Sequence, residues 1–254
     1  MKVNIYDLNG EVKNKIDLPE IFNHPIRLDI IKKAFDVLRA NKRQPYGADP
    51  LAGKRHATAS AGKGLGVSRV PRLTQVGSRR AALAPGTVGG RRAHPPKAEK
   101  NWKEKINKKE KQMAIKSALS ALTNKEIVKQ RGHEFDEKIT LPIVVENRFK
   151  DIKKTKELVE VLKKLRVYED IERAERGKHI RAGKGKRRGR KYKIPKSILI
   201  VSSRGDIHKS AANLPGLDVI TPNQINIEYL APGGNPGRLT IFTEEALKQI
   251  GGSK

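Results

Sequence analysis

Apolar positions along this chain follow two rhythms, one of strands and one of helices. Val3-Asn4-Ile5-Tyr6 and the segment from Val12 to Leu18 flank Asn9-Gly10, a dipeptide in which both residues accept φ > 0, so a short N-terminal hairpin is predicted. After Pro25, a favoured first-turn residue, Ile30, Ile31, Ala34, Phe35 and Leu38 recur at helical spacing. Arg39, Lys42 and Arg43 close that helix at its negative dipole end. A second helix is predicted from about Lys100 to Leu122, with Ile115, Ala118, Leu119 and Leu122 as its apolar face and a Lys-rich first half turned to solvent or to a partner. Thr155 is expected to cap a third, in which Leu158, Val161, Leu162 and Leu165 are in register. Thr243-Glu244-Glu245-Ala246-Leu247 opens a final short helix with acids at its positive end.

Between the helices lie Ile143-Val144-Val145, Ile198-Leu199-Ile200-Val201, Val219-Ile220 and Leu239-Thr240-Ile241-Phe242. Continuous β-branched runs of this kind suit strands buried on both faces. Helical or loop sequence separates each from the next, so the predicted class is α/β: a single globular layer of mostly parallel sheet with flanking helices. To it the sequence adds a long extended internal loop. No internal repeat is present, and no apolar run approaches the ~18 residues of a membrane span.

The loop is where both rhythms stop. From Pro45-Tyr46-Gly47-Ala48-Asp49-Pro50 to Pro95-Pro96 the apolar residues are few and without period. The stretch holds nine of the 22 glycines, Gly77 among them. Such a segment cannot bury enough surface to offset its ordering entropy, so it is predicted to be disordered until a partner binds. Doubled back on itself it reaches at most ~80–90 Å, at about 3.3–3.6 Å per residue. The predicted organisation is residues 1–43 as the first part of a globular body, 44–100 as the loop, and 101–254 as the rest of the body, interrupted by a basic tract at 176–193.

Charge sharpens this division. The chain carries 55 Lys+Arg against 27 Asp+Glu, a formal +28, which implies a polyanionic partner. From Pro50 to Ala98 there is no acid in 49 residues but ten Lys/Arg. Residues 44–100 carry 11 basic and 2 acidic residues, and 176–193 carry ten basic and none acidic, so 75 residues hold +19. The remaining 179 hold only +9, from 34 basic and 25 acidic residues. In the loop the cations are mostly Arg (Arg55, Arg69, Arg72, Arg79, Arg80, Arg91, Arg92), which forks onto phosphate and stacks on bases. Lys54, His56, Lys63, His94 and Lys97 accompany them. In the second tract Lys178, Arg181, Lys184, Lys186, Arg187, Arg188, Arg190 and Lys191 alternate with Gly183, Gly185 and Gly189, a spacing that lets the backbone approach RNA. Lys184 to Lys193 also reads as a nuclear-localisation run. Tyr192 either stacks on a base or anchors the following strand. A plain solvated linker is the competing account of both tracts, but linkers usually mix acids with bases.

No catalytic constellation emerges. Ala61-Gly62-Lys63-Gly64-Leu65-Gly66 and Gly183-Lys184-Gly185 fail the Gly-x4-Gly-Lys-Ser/Thr spacing and do not lead from a strand into a helix. The six His are scattered without metal-ligand spacing, and His133-Glu134 reads as a surface pair. Glu134, Asp136 and Glu137 cluster in a predicted turn, and Ser202-Ser203 lacks a nucleophile elbow. With no cysteine, disulfides, thiolate zinc sites and Cys nucleophiles are excluded, and a start already patterned from Met1 to Leu8 fits the cytosol. The expectation is a non-enzyme with neither cofactor nor metal.

Several blocks then identify a family. Pro45-Tyr46-Gly47-Ala48-Asp49-Pro50, Ala52-Gly53-Lys54-Arg55 and Gly64-Leu65-Gly66-Val67-Ser68-Arg69-Val70-Pro71-Arg72 occur in order. Val88-Gly89-Gly90-Arg91-Arg92-Ala93-His94-Pro95-Pro96-Lys97 follows, and then Leu230-Ala231-Pro232-Gly233-Gly234-Asn235-Pro236-Gly237-Arg238-Leu239-Thr240-Ile241-Phe242-Thr243-Glu244. Together they resemble the large-subunit ribosomal protein four family over essentially the whole chain. The chain stops at Lys254 without the C-terminal extension of the eukaryotic members, so the archaeal type is the better match. The resemblance implies a cytoplasmic structural constituent of the large ribosomal subunit, with ribosomal RNA and neighbouring large-subunit proteins as partners. Protein twenty-two at the peptide exit tunnel is one of them; no membrane and no homo-oligomer is implied. It makes 44–100 the loop that threads RNA, with Gly62, Lys63, Gly64, Leu65, Gly66, Val67, Ser68, Arg69 and Arg72 nearest the tunnel. Two rivals remain at this stage: a chromatin-type nucleic-acid-coating protein, which should show a recognition helix, and an RNA-acting enzyme, which should turn RNA over with Mg²⁺.

Overall fold

The computed structural model describes residues 1–75, 79–203 and 205–252, so Gly77 and Lys254 lie outside the described residues. In chain order the elements are β1 (Lys2–Tyr6), β2 (Val12–Asp17), α1 (Leu28–Asn41), β3 (Thr58–Ser60), β4 (Pro71–Leu73), α2 (Lys108–Ala121), α3 (Lys125–Gln130), β5 (Ile143–Val145) and α4 (Thr155–Lys164). They continue with α5 (Glu169–Arg176), β6 (His179–Ile180), β7 (Tyr192–Lys193), β8 (Leu199–Val201), α6 (Ile207–Ala211), β9 (Asp218–Ile220), α7 (Ile227–Leu230), β10 (Thr240–Thr243) and α8 (Glu244–Gly252). The chain divides into two compact units, one of Met1–Arg39 with the residues from Glu104 onward, the other Ala40–Lys103.

In the first unit a six-stranded sheet runs in the order β2-β1-β5-β10-β8-β9, parallel throughout except for the β1–β2 hairpin at its edge. Each predicted apolar run is a strand of this sheet, and its residues alternate between two cores. Ile143, Val145, Ile200 and Ile241 pack with Leu158 and Leu162 of α4 and Ile171 of α5 on one face. Val144, Leu199, Val201 and Phe242 pack with Ile31 and Ala34 of α1, Ala118 and Leu119 of α2 and Leu247 of α8 on the other. Helices on both faces explain why the strands read as continuous apolar runs rather than alternating ones.

Some expected boundaries move. α2 begins at Lys108, not near Lys100, because Lys100, Lys103, Glu104 and Lys105 supply no apolar stripe to bury. Thr155 is the first residue of α4 rather than its cap; Lys154, in extended conformation, takes that place, and the Leu158 N–H donates to its carbonyl at 3.2 Å. His133-Glu134 is not a surface pair. The His133 side chain is 1% exposed, and its Nδ1 lies 3.0 Å from Asp170 Oδ2. The amphipathic α5 turns Asp170 inward beside Ile171 and Ala174, and a buried carboxylate needs partners.

Candidate nucleic-acid interface

Residues 40–103 are irregular but not featureless. The ends of this segment meet where the Ala48 N–H donates to Pro96 O at 3.0 Å. Gly47 allows that approach, since a Cβ there would stand 3.0 Å from the Ala98 nitrogen. Further out, Gly53 has φ +73, and its missing Cβ makes room for the Gly90–Arg91 backbone. Beyond it β3 and β4 pair antiparallel, an element that the aperiodic sequence did not predict. Leu73 N–H to Arg80 O and Ala82 N–H to Pro71 O add residues 80–82 alongside β4. The connection at 61–70 carries Gly62, Gly64 and Gly66 at φ +73, +84 and +64, values that L side chains rarely adopt. Leu65 between two of them and Val67 after the last are exposed, as are Lys63, Ser68 and Arg69.

The second tract is a hairpin of the first unit. β6 and β7 pair through His179–Lys193 and Ile180–Tyr192, and the Arg181 N–H donates to Lys191 O at 2.8 Å. Gly183 (φ +80) and Gly189 (φ +75) turn the chain at either side of residues 184–188. Tyr192 therefore belongs to this exposed ribbon and not to β8, with the Lys178 and Lys191 ammonium groups 4.9 and 5.4 Å from its ring centroid.

All the basic residues singled out from the sequence are exposed except Arg72 and Arg181. Those two guanidinium groups are used within the chain. Arg72 donates to Arg79 O at 2.7 Å and to Ser68 Oγ at 3.3 Å, and Arg181 Nε donates to Arg190 O at 3.2 Å. The other cations (Lys54, Arg55, His56, Lys63, Arg69, Arg79, Arg80, Arg91, Arg92, His94 and Lys97 in one unit; Lys178, Lys184, Lys186, Arg187, Arg188, Arg190 and Lys191 in the other) face solvent. Of the 21 Lys and Arg at 44–100 and 176–193, only Arg55 (with Asp49, 2.5 Å) and Arg176 (with Glu134, 3.0 Å) pair with a carboxylate among the described residues. Elsewhere cations are commonly paired: Lys13 with Glu146, Lys33 with Glu110, Lys150 with Glu245, Arg166 with Asp136. Setting aside Arg72 and Arg181, nine exposed cations of the 44–100 segment and eight of the 176–193 hairpin are held out without counter-charge, the arrangement that phosphate neutralises with release of condensed ions.

The acids suspected of clustering are spent on ion pairs. Glu134 pairs with Arg176, Asp136 with Arg166, and Glu137 with Lys129. Among the described residues no group of three or more His, Asp or Glu is placed to hold a metal. Ser203 Oγ donates to Glu245 at 3.0 Å, and Ser202 is buried at the end of β8.

Two polar clusters escaped sequence reasoning. Arg238, fully buried, donates to the carbonyls of Ser197, Ile198, Gly216 and Tyr229 and to Asp218 Oδ2 at 2.6 Å, tying the entry to β10 to those of β8 and β9. Burial pushes its pKa down while Asp218 holds it up. Nearby in the same unit, burial and the charges of Arg238 and Arg173 bring Arg131 down to about 10, still a cation at neutral pH, and carbonyls of Pro232 and Asn235 accept from it. The other cluster is aromatic. Tyr46 and Trp102 stack at 6.0 Å between centroids and 16° between planes. The Arg43 guanidinium lies 3.7 Å from the Trp102 centroid, and the Lys100 ammonium 4.3 Å. A lone tryptophan amid lysines, outside any apolar period, was the signal available for it.

The family model described as "Ribosomal protein L4/L1 family" matches residues 16–253. The chain is 51% identical over 249 residues to the "Large ribosomal subunit protein uL4" of Thermoplasma acidophilum, covering 98% of this chain and 97% of that one. It is 50% identical over 251 residues to that of Methanocaldococcus jannaschii, covering 98% of each. The Archaeoglobus fulgidus protein of that name is 48% identical over 252 residues, 99% of this chain and 98% of its own.

Proposed function

The chain belongs to the ribosomal protein L4/L1 family, and from that premise we propose that it binds ribosomal RNA through its two acid-free tracts and that the 44–100 segment lines part of the peptide exit tunnel. As a member of this family it is a structural constituent of the large ribosomal subunit in the cytoplasm, in keeping with relatives named "Large ribosomal subunit protein uL4". The observation that carries the RNA reading is the 17 exposed cations of the two tracts that have no carboxylate partner among the described residues. Such an array recognises phosphate and RNA shape rather than a base code. In this reading the body anchors the protein by its fold, and the loop is ordered and held by phosphate contacts. The exposed run Gly62 to Arg69, apolar at Leu65 and Val67, is the part turned to the tunnel, and Arg72 braces it from within. Ribosomal RNA and neighbouring large-subunit proteins, including protein twenty-two at the tunnel, are the partners, and the protein acts as a single copy. The deciding experiment is crosslinking inside intact ribosomes. Residues 50–100 and 178–191 should crosslink to large-subunit RNA, and residues 62–69 to a stalled nascent chain. Body-only crosslinks would refute the assignment of the tracts.

A further inference from the structure

The stacked rings of the 40–103 unit lie beside cations of the phosphate array but are not explained by it. They include the only tryptophan of a chain with just 4% aromatic residues, and that tryptophan is in neither hydrophobic core. Arg43 covers the Trp102 ring at 3.7 Å and donates through Nη2 to the Tyr46 hydroxyl at 3.3 Å, which fixes the stacked pair. Tyr46 remains 48% exposed. Beside the pair lies a recess of about 750 Å³ whose walls include Tyr46, Trp102, His94, Pro96, Lys97 and Lys100. That volume is within the usual ligand-pocket range of about 300–1,000 Å³. The Trp102 Nε1–H is buried and has no acceptor among the described residues, so the residue enters the recess wall through its ring. One carboxylate, Glu99, lines the recess together with Lys97, Lys100 and His94. Gly47 is what brings Tyr46 to this wall, by letting the 46–48 backbone close on 96–98.

An exposed ring on an aromatic pair and flanking cations are what an unpaired nucleobase requires: a face to stack on and charge for its phosphates. We propose that this recess seats one unpaired base of single-stranded RNA on Tyr46, with the adjoining phosphates at Lys97 and Lys100. This rests on the RNA-binding reading above but adds to it a contact that reads a base and not only the backbone.

Trp102 makes the test direct, because its emission reports this site alone. The full-length protein is titrated with a hexaadenylate RNA and with an abasic ribose-phosphate oligomer of equal charge. The hexaadenylate should quench Trp102 and bind more tightly than the abasic oligomer, and Tyr46→Ala should weaken it by about 5- to 150-fold, the range for loss of one base stack. Tyr46→Phe keeps the stacking ring and loses only the hydroxyl bond to Arg43, so it should bind far closer to the parent than Tyr46→Ala does; a Phe variant as weak as the Ala variant would overturn stacking as the source of the affinity. If the abasic oligomer binds and quenches as well as the hexaadenylate, the base site is overturned while phosphate binding stands. If neither oligomer binds, both readings fall. Tighter quenching by an acidic, aromatic peptide than by RNA would overturn the proposal in favour of a protein occupant.

Discussion

Neutralising cations that lack a counter-charge should cost RNA binding far more than neutralising the same number that have one. Two variants test this at identical net charge. In the first, Lys184, Lys186, Arg187, Arg188, Arg190 and Lys191 become Gln; all six are exposed and without a carboxylate partner among the described residues. In the second, Lys13, Lys33, Lys129, Lys150, Arg166 and Lys248 become Gln; each sits in an ion pair. Each variant removes six charges from a formal +28. The logarithm of the binding constant falls with log salt at about 0.7 to 0.9 per phosphate neutralised. If all six residues of the first set meet phosphates, the slope should drop by about 4–5, and the affinity lost should shrink as salt rises. The second set should lower the slope by less than about 1, since those cations displace few counterions to begin with. The assay is filter binding or anisotropy with a large-subunit RNA fragment between low and moderate salt. Equal slope changes in the two variants would mean that only net charge matters, and would refute the interface drawn from ion pairing.

Two further outcomes concern the body. Arg238→Ala removes five donated hydrogen bonds and leaves Asp218 and four carbonyls short of a donor, so urea unfolding should show a loss of about 3–5 kcal/mol, as for one partner removed from a buried pair; a loss under about 1 kcal/mol would make the latch dispensable. His133 gives a pH dependence whose sign is fixed by its burial, which holds its pKa below the ordinary histidine value in spite of Asp170. The unfolded chain then takes up the proton first, so this contribution is intact above about pH 6.5 and is lost as pH falls toward the lower folded value. The urea midpoint should fall between pH 7.5 and 5.5, and His133→Gln should flatten that fall; a parent midpoint insensitive to this window would contradict the assignment.

The parallel sheet was legible because the apolar runs at 143–145, 198–201, 219–220 and 239–242 are continuous and separated by helical periods, and three of them, β5, β8 and β10, are inner strands buried on both faces. The start of α2 was not, because charged residues with good helix propensity continue the apparent helix back to Lys100, and only the absence of a buried face stops it at Lys108. His133 was misplaced for the opposite reason. Its neighbour Glu134 is exposed and its partner Asp170 lies 37 residues away, so no local period could show that the imidazole turns inward. Arg238 is likewise a charge whose partners are carbonyls on other strands, set by tertiary packing that composition does not encode.

The interface was more legible than the core because of how ion pairs form. A cation far from any acid in sequence can still find one in space, so a basic run by itself does not establish an unpaired surface. Here Arg176 does find one, Glu134, 42 residues away. What the sequence settles is the supply. With 25 of the 27 acids in the body and 34 basic residues there to engage them, few carboxylates remain for the tracts. The two acids at 44–100 cannot serve 11 cations, and the hairpin at 176–193 has none of its own. A folded chain that concentrates its acids in one part leaves the other part's positive charge uncompensated whatever the detailed packing. That charge is the supply a polyanion would neutralise, and it is set by where the acids lie and not by the packing.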